Sequence, residues 1–216
     1  MNEHNFESMR RAMVASQLRT TGVSDPRVVA AMGEVARERF VPSSRLPLAY
    51  ADAIVPLDDG RALSPPMAVG RLLTEAHPQP GDRALVVGAG TGYAAAVLAR
   101  LVAEVTALEE DGALAAHAAD ALAGTPAVVV QGPLAAGWAD RAPYDLILID
   151  GAVEFVPDAI IAQLAEGGRL AAPIIDQGVI RLAVGRRAGG GFGMTSFSDA
   201  AAARLPGFAK PRAFVF

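Results

Sequence analysis

Val86-Val87-Gly88-Ala89-Gly90-Thr91-Gly92-Tyr93 decides how this chain is read. An apolar run from Arg83 to Val87 leads into it, and a helix-forming stretch, Tyr93 to Leu101, leaves it. A second short strand, Val105 to Leu108, then ends in the acid Glu109. Strand, glycine loop, helix, strand and acid form the layout of a nucleotide-type cofactor site at the edge of a parallel sheet. Glycines let the backbone approach a ligand closely, and the helix N-terminus offers N–H groups. The acid can bridge two vicinal ribose hydroxyls. A dinucleotide fingerprint, G-x-G-x-x-G, would want glycine where Tyr93 stands. The observed G-x-G-x-G spacing points away from a nicotinamide dehydrogenase and toward S-adenosylmethionine, a ligand with a ribose and a methionine carboxylate but no phosphate.

Outward from the loop, the chain alternates. Strands are predicted near 83–87, 104–108, 126–130, 144–149 and 168–173, with helices near 91–101, 112–123 and 157–165, a rhythm that makes a mostly parallel sheet covered on both faces. Val179–Arg186 and Phe192–Phe197 flank Gly189-Gly190-Gly191 and read as an antiparallel hairpin, and Phe214-Val215-Phe216 as a final edge strand. Upstream, Phe6, Met9, Met13, Val14 and Leu18 recur at helical spacing. Asp25-Pro26 opens a second helix lined by Val28, Val29, Met32 and Val35, and Met67 to Ala76 forms a third, closed by His77-Pro78. Between them, residues 40–66 carry five prolines and Gly60, a long loop of the kind that is usually functional. Residues 1–80 are expected to form N-terminal helices and a substrate loop packed on a core of residues 81–216, within one compact domain.

Composition narrows the function. With 216 residues and a 52% hydrophobic fraction, the chain can bury a large core. A net charge of −4 gives no electrostatic case for nucleic acid. There is no cysteine, which excludes disulfides, thiolate metal sites and cysteine nucleophiles. No metal site is expected, and His4, His77 and His117 are scattered in sequence. No apolar run approaches the ~20 residues of a membrane span, and no signal-type apolar region follows Met1, so a cytoplasmic protein without membrane partners is expected.

Leu63-Ser64-Pro65-Pro66-Met67 precedes the third helix. On local grounds alone, Ser64 reads as an N-cap with prolines in the first turn. A wider pattern adds to this: Met13-Val14-x-x-Gln17-Leu18, Asp25-Pro26-Arg27-Val28-Val29-x-Ala31-Met32, Arg37-Glu38-Arg39-Phe40-Val41-Pro42, Ala49-Tyr50-x-Asp52, Leu63-Ser64-x-Pro66, Gly88-x-Gly90-Thr91-Gly92-Tyr93, Gly137-Trp138, Ala142-Pro143-Tyr144-Asp145 and Gln163-Leu164-x-x-Gly167-Gly168-Arg169-Leu170. In this order and spacing, the chain resembles the protein-L-isoaspartate O-methyltransferase family through to about Pro173.

The resemblance implies a Rossmann-like class I methyltransferase fold: α/β, a mostly parallel sheet with a C-terminal antiparallel hairpin and an N-terminal helical extension. It implies S-adenosyl-L-methionine as cofactor and isoaspartyl-containing proteins or peptides as substrates. It makes Ser64 the active-site serine. The cofactor would lie along Ala62, Leu63, Gly88, Ala89, Gly90, Thr91, Gly92, Glu109, Gly132, Pro133 and Leu134. Such a site can be sparse, because a carboxylate is ionised and nucleophilic at pH 7 and the sulfonium methyl is already activated. The chain also departs from the family pattern. Val86 stands where an acid is frequent, Gly132-Pro133-Leu134 replaces Gly-Asp-Gly, and Ala62-Leu63-Ser64-Pro65-Pro66 replaces Thr-Ile-Ser-Gln-Pro. Asp150-Gly151-Ala152 replaces Thr-Ala-Ala, which brings a new acid near the strand ends. A Phe-Val-Pro-Leu ending that closes over the site is also expected and is absent before Phe216. The alternatives are a methyltransferase fold that has lost repair activity and one that methylates another acceptor.

Overall fold

The computed structural model describes residues 3–57 and 60–210. Helix α1, Glu3–Met13, buries Phe6 and Met13 and continues into a wider π-helical turn, Val14–Leu18. Helix α2, Pro26–Glu34, starts as its sequence predicts: the Asp25 carboxylate accepts the Arg27 N–H at 2.8 Å, and Pro26 takes the first position, where no amide partner is needed. The proline-rich stretch forms 3₁₀ turns at Arg37–Phe40 and Ser43–Leu48, followed by two short antiparallel strands, β1 (Val55–Pro56) and β2 (Ala62–Leu63). Helix α3, Pro66–Ala76, ends where His77 turns left-handed.

The core then runs β3 (Arg83–Val87), α4 (Tyr93–Leu98), β4 (Glu104–Glu109), α5 (Gly112–Ala121), β5 (Ala127–Gln131), β6 (Tyr144–Ile149), α6 (Asp158–Ile161), β7 (Leu164–Asp176), β8 (Val179–Ala188) and β9 (Gly191–Asp199). These strands form one sheet in the order β5-β4-β3-β6-β7-β8-β9. The first five are mutually parallel, and β8 and β9 join antiparallel. Strand order reverses between β3 and β6, the switch point at which open α/β sheets leave a crevice beyond their C-terminal ends. Leu85, Val86, Val87 and Leu146–Ile149 are buried on both faces, as central parallel strands must be. One apolar cluster joins the N-terminal helices, α3, α4 and α5 to one face of the sheet, and a second, around Leu85, Ile147, Leu170 and Phe208, covers the other.

Three elements differ from the sequence reading. The first core helix is shorter than 91–101, because Gly92 is left-handed and the helix begins only at Tyr93. The helix expected over 157–165 is the single turn α6, and β7 runs from Leu164 rather than 168. The Gln163 carbonyl accepts the Tyr144 N–H at 2.8 Å, and the Gln163 side chain accepts the Trp138 N–H at 2.8 Å and donates to the Ala136 carbonyl at 2.7 Å. Those bonds bring residue 163 to the start of the β6–β7 pairing, where the helical turn stops. The hairpin holds, with Gly189 and Gly190 supplying its two positive-φ turn positions. The edge strand expected at Phe214-Val215-Phe216 lies outside the described residues. After β9 the chain returns across the sheet: Ala203 and Leu205 bond both sides of Ala152, and Ala202, Ala203, Leu205 and Phe208 are buried. Among the described residues, no helix is long and apolar enough to cross a membrane.

Candidate functional site

The glycine loop caps β3 and opens α4 at the switch point. Gly88, Gly90 and Gly92 have φ of 78°, 56° and 101°, a left-handed geometry that favours glycine and accounts for the alternate spacing. A Cβ on Gly88 would also stand 2.5 Å from Leu205 Cδ1, so the returning C-terminal segment lies directly on the loop. Most of the loop amides are already engaged. Gly88 and Ala89 donate to the Leu108 carbonyl, Gly92 to the Ala89 carbonyl, and Gly90 to Glu109 Oε2 at 2.7 Å. The Thr91 hydroxyl donates to the Phe40 carbonyl at 2.6 Å, which ties the loop to the turn after α2. The loop is thus a preset shape more than a row of free donors.

Glu109 ends β4 beside this loop and is fully buried. Its Oε1 accepts the N–H groups of Glu110 and Asp111 at 2.9 and 3.1 Å. Arg61 closes on the same carboxylate in bidentate fashion, at 2.5 Å to Oε1 and 3.1 Å to Oε2, with only 10% of its own side chain exposed. A ribose that is to use Glu109 must therefore displace Arg61. The sequence reading did not include Arg61, whose only local signal is its place immediately before Ala62-Leu63-Ser64. Across the sheet end, Gly132 donates to the Glu109 carbonyl at 3.1 Å, Pro133 is exposed and Leu134 is buried. That wall is apolar and carries no carboxylate of its own.

Ser64 follows β2 and is buried under the returning segment, where its Oγ accepts the Ala203 N–H at 3.4 Å. It does not cap α3: the Asp52 carboxylate accepts the Met67 N–H at 3.0 Å from 15 residues away. The serine hydroxyl is thereby left for another role, which explains the place of Asp52 in the motif Ala49-Tyr50-x-Asp52. Ala202 to Phe208 covers the site where the Phe-Val-Pro-Leu ending was expected.

Behind Ser64 lies Arg37. Its Nη2 donates to the Ser64 carbonyl at 2.7 Å, and its guanidinium stacks 4.2 Å from the centre of the Tyr93 ring. The side chain is wholly buried, yet among the described residues Nε and Nη1 have no hydrogen-bond partner, and neither has the Tyr93 hydroxyl. Burial lowers the Arg37 pKa and raises that of Tyr93. In the sequence, Arg37-Glu38-Arg39 enters only as part of the family pattern; the packing shows that the first of the three points inward. Val86, by contrast, is a core residue and offers nothing to the site. Asp150 follows β6, where its N–H donates to the Val87 carbonyl at 2.9 Å, so the new acid does stand at the strand ends. Burial pushes its carboxyl up to about 6, against the pull of Arg37 and Arg61 and reinforced by Glu109. No group of three or more His, Cys, Asp or Glu side chains that could hold a metal occurs among the described residues.

Comparison with known proteins is consistent along the chain. The family model described as protein-L-isoaspartate(D-aspartate) O-methyltransferase matches residues 9–198. The protein-L-isoaspartate O-methyltransferase 1 of Rhodopseudomonas palustris (strain HaA2) is 44% identical over 182 residues, covering 82% of this chain and 74% of that protein. The protein-L-isoaspartate O-methyltransferase of Koribacter versatilis (strain Ellin345) is 40% identical over 197 residues, covering 90% and 89%. Among solved structures, a protein-L-isoaspartate O-methyltransferase superposes with a TM-score of 0.81 at 25% identity, over 92% of this chain and 66% of its own. A Plasmodium falciparum structure described as a putative member, in complex with S-adenosyl-L-homocysteine, superposes with a TM-score of 0.77 at 19% identity, over 93% and 97%.

Proposed function

The chain belongs to the protein-L-isoaspartate(D-aspartate) O-methyltransferase family, and we propose that its site esterifies the free carboxyl of L-isoaspartyl residues, and to a lesser extent D-aspartyl residues, in damaged proteins. The methyl donor is S-adenosylmethionine. Glu109 takes the ribose hydroxyls once Arg61 has moved. The adenine lies toward Gly132-Pro133-Leu134 at the end of β5, and Gly88 to Gly92 support the middle of the cofactor. Ala62 and Leu63 separate it from the acceptor.

The acceptor carboxylate attacks the sulfonium methyl in line. A carbon–oxygen bond forms, the carbon–sulfur bond breaks, and neutral S-adenosylhomocysteine leaves; no proton has to move. Catalysis of this kind rests on positioning and exclusion of water. The Ser64 hydroxyl can hold one carboxylate oxygen while the other attacks. Loss of methanol from the ester then gives a succinimide that reopens in part as normal aspartate, which is repair. We place this work in the cytoplasm, with ageing proteins as partners.

The observation that carries the reading is Arg37. A buried guanidinium with two unmet donors, bonded to the backbone of Ser64, makes the acceptor end positive. An anionic acceptor suits that field better than an amine does. The test is incubation with labelled S-adenosylmethionine and matched isoaspartyl and aspartyl peptides. Selective labelling of the isoaspartyl peptide is expected; equal background labelling of both would sink the reading. Ser64→Ala should lower turnover far more than cofactor affinity, and an unchanged rate would refute the role given to the serine.

A further inference from the structure

S-adenosylmethionine carries a cationic centre that Glu109 does not serve. Its α-ammonium needs an anion or several acceptors wherever the methionine end comes to rest. The strand order settles the direction: with adenine at the end of β5 and ribose at the end of β4, the methionine portion must run over β3 toward β6. The ends of β4 and β6 lie two strand spacings apart, about 10 Å. The run of single bonds from the 3′-hydroxyl to the α-nitrogen is long enough to bridge that span.

Asp150 stands at the far end of it. Its N–H bond to the Val87 carbonyl sets it beside Gly88, and it is partly buried. No hydrogen bond or ion pair among the described residues engages its carboxylate. The charged and titratable groups that face it are Arg37 from the turn after α2, Arg61 just before β2, Glu109 from β4 and Tyr93 from α4. Arg37 makes no ion pair with it: its Nη2 donates to the Ser64 carbonyl and its plane lies on the Tyr93 ring, while Arg61 is paired with Glu109. The glycine loop cannot supply the charge either, because the residue two before it is the core side chain Val86.

We propose that Asp150 binds the α-ammonium of the methionyl portion of S-adenosylmethionine. This rests on the placement of the ribose at Glu109 proposed above. The same contact has a second consequence. An unneutralised carboxylate at 150 would repel an incoming acceptor carboxylate, whereas one paired with the ammonium does not, so the cofactor should bind before the acceptor.

Calorimetry on the full chain tests this with S-adenosylhomocysteine and with its analogue lacking the α-amino group. The wild-type chain should prefer the amine-bearing ligand by about 10- to 100-fold, as a charge-assisted bond provides. Asp150→Asn should lose that preference by weakening only the amine-bearing ligand. Its pH profile should agree: wild-type affinity falls as pH drops through about 6 and Asp150 is protonated, and the Asn variant stays flat. Unchanged affinity in the variant overturns the proposal. So does an equal loss for both ligands, which marks a structural effect. Glu109→Gln separates the two layers. If it weakens binding and Asp150→Asn does not, only this inference fails; if it has no effect, the cofactor placement fails as well.

Discussion

The two ends proposed for the site, the cofactor end at Glu109 and the acceptor end at Arg37, treat their buried charges in opposite ways. At the cofactor end, Glu109 is saturated: three backbone N–H groups and a bidentate guanidinium converge on one carboxylate. At the acceptor end, Arg37 keeps two donors unmet and makes no ion pair among the described residues, with Asp150 and Asp52 acting on it only at a distance. A saturated charge belongs to the structure and is available to a ligand only by exchange. An unsatisfied one costs stability in the unliganded protein and waits for what will complete it. The cofactor end should therefore be stiff and competitive, the acceptor end strained and receptive.

The largest effect that would break this contrast is at Glu109. Glu109→Ala leaves Arg61 without its ion-pair partner and three amides without their acceptor. Removing one partner of a buried pair costs about 3–5 kcal/mol. Denaturant unfolding should report a loss of that order, and cofactor binding should vanish with it. A loss below about 1 kcal/mol would mean that Glu109 holds no structure and that the two ends are alike.

Arg37→Met is the complementary case. The variant removes a buried, unpaired charge but also takes the donor from the Ser64 carbonyl. Replacing buried charge by an apolar side chain of similar length is often close to neutral, and one lost bond costs about 1 kcal/mol. Stability should stay within about 1 kcal/mol of the parent, while kcat/KM on the isoaspartyl peptide falls about 10- to 100-fold. Arg37→Lys should not rescue activity, because a point charge can neither stack on Tyr93 nor reproduce the planar fork. Large destabilisation with intact kcat/KM would reverse the assignment and make Arg37 a structural residue.

The same contrast explains what the sequence could and could not disclose. The glycine loop and Glu109 were legible because strand, loop, helix and acid are close in the chain and their geometry is local. The sheet followed from the alternation of apolar runs. Where local rules mislead, a distant partner decides: Asp52 takes the cap of α3 that local rules give to Ser64, and Gln163, at the end of its helical turn, also bonds Trp138 and Ala136. Arg37 and Arg61 were missed for the same reason. Their partners lie 27 and 48 residues away, and nothing in a charged turn or a glycine-flanked arginine announces burial. Asp150 stands at the strand ends, as its sequence position predicts, but the groups that face it come from four other parts of the chain.

Arg61→Gln gives the smallest effect and the finest test. Arg61 is paired with the carboxylate proposed for the ribose, so on that placement binding of the cofactor is an exchange of partners. Removing the guanidinium removes that competition. Glu109 keeps its three backbone donors, and glutamine is long enough to leave one hydrogen bond in place, so the folded state should lose only about 1–2 kcal/mol. Cofactor affinity should rise by about 10-fold, the equivalent of one displaced charge-assisted bond. The protein would then be less stable alone and more strongly stabilised by saturating cofactor, a crossing that thermal unfolding with and without S-adenosylhomocysteine can read directly. If affinity falls instead, Arg61 stays with the bound cofactor as a supporting residue, and the cofactor end is completed by its ligand in the same sense as the acceptor end.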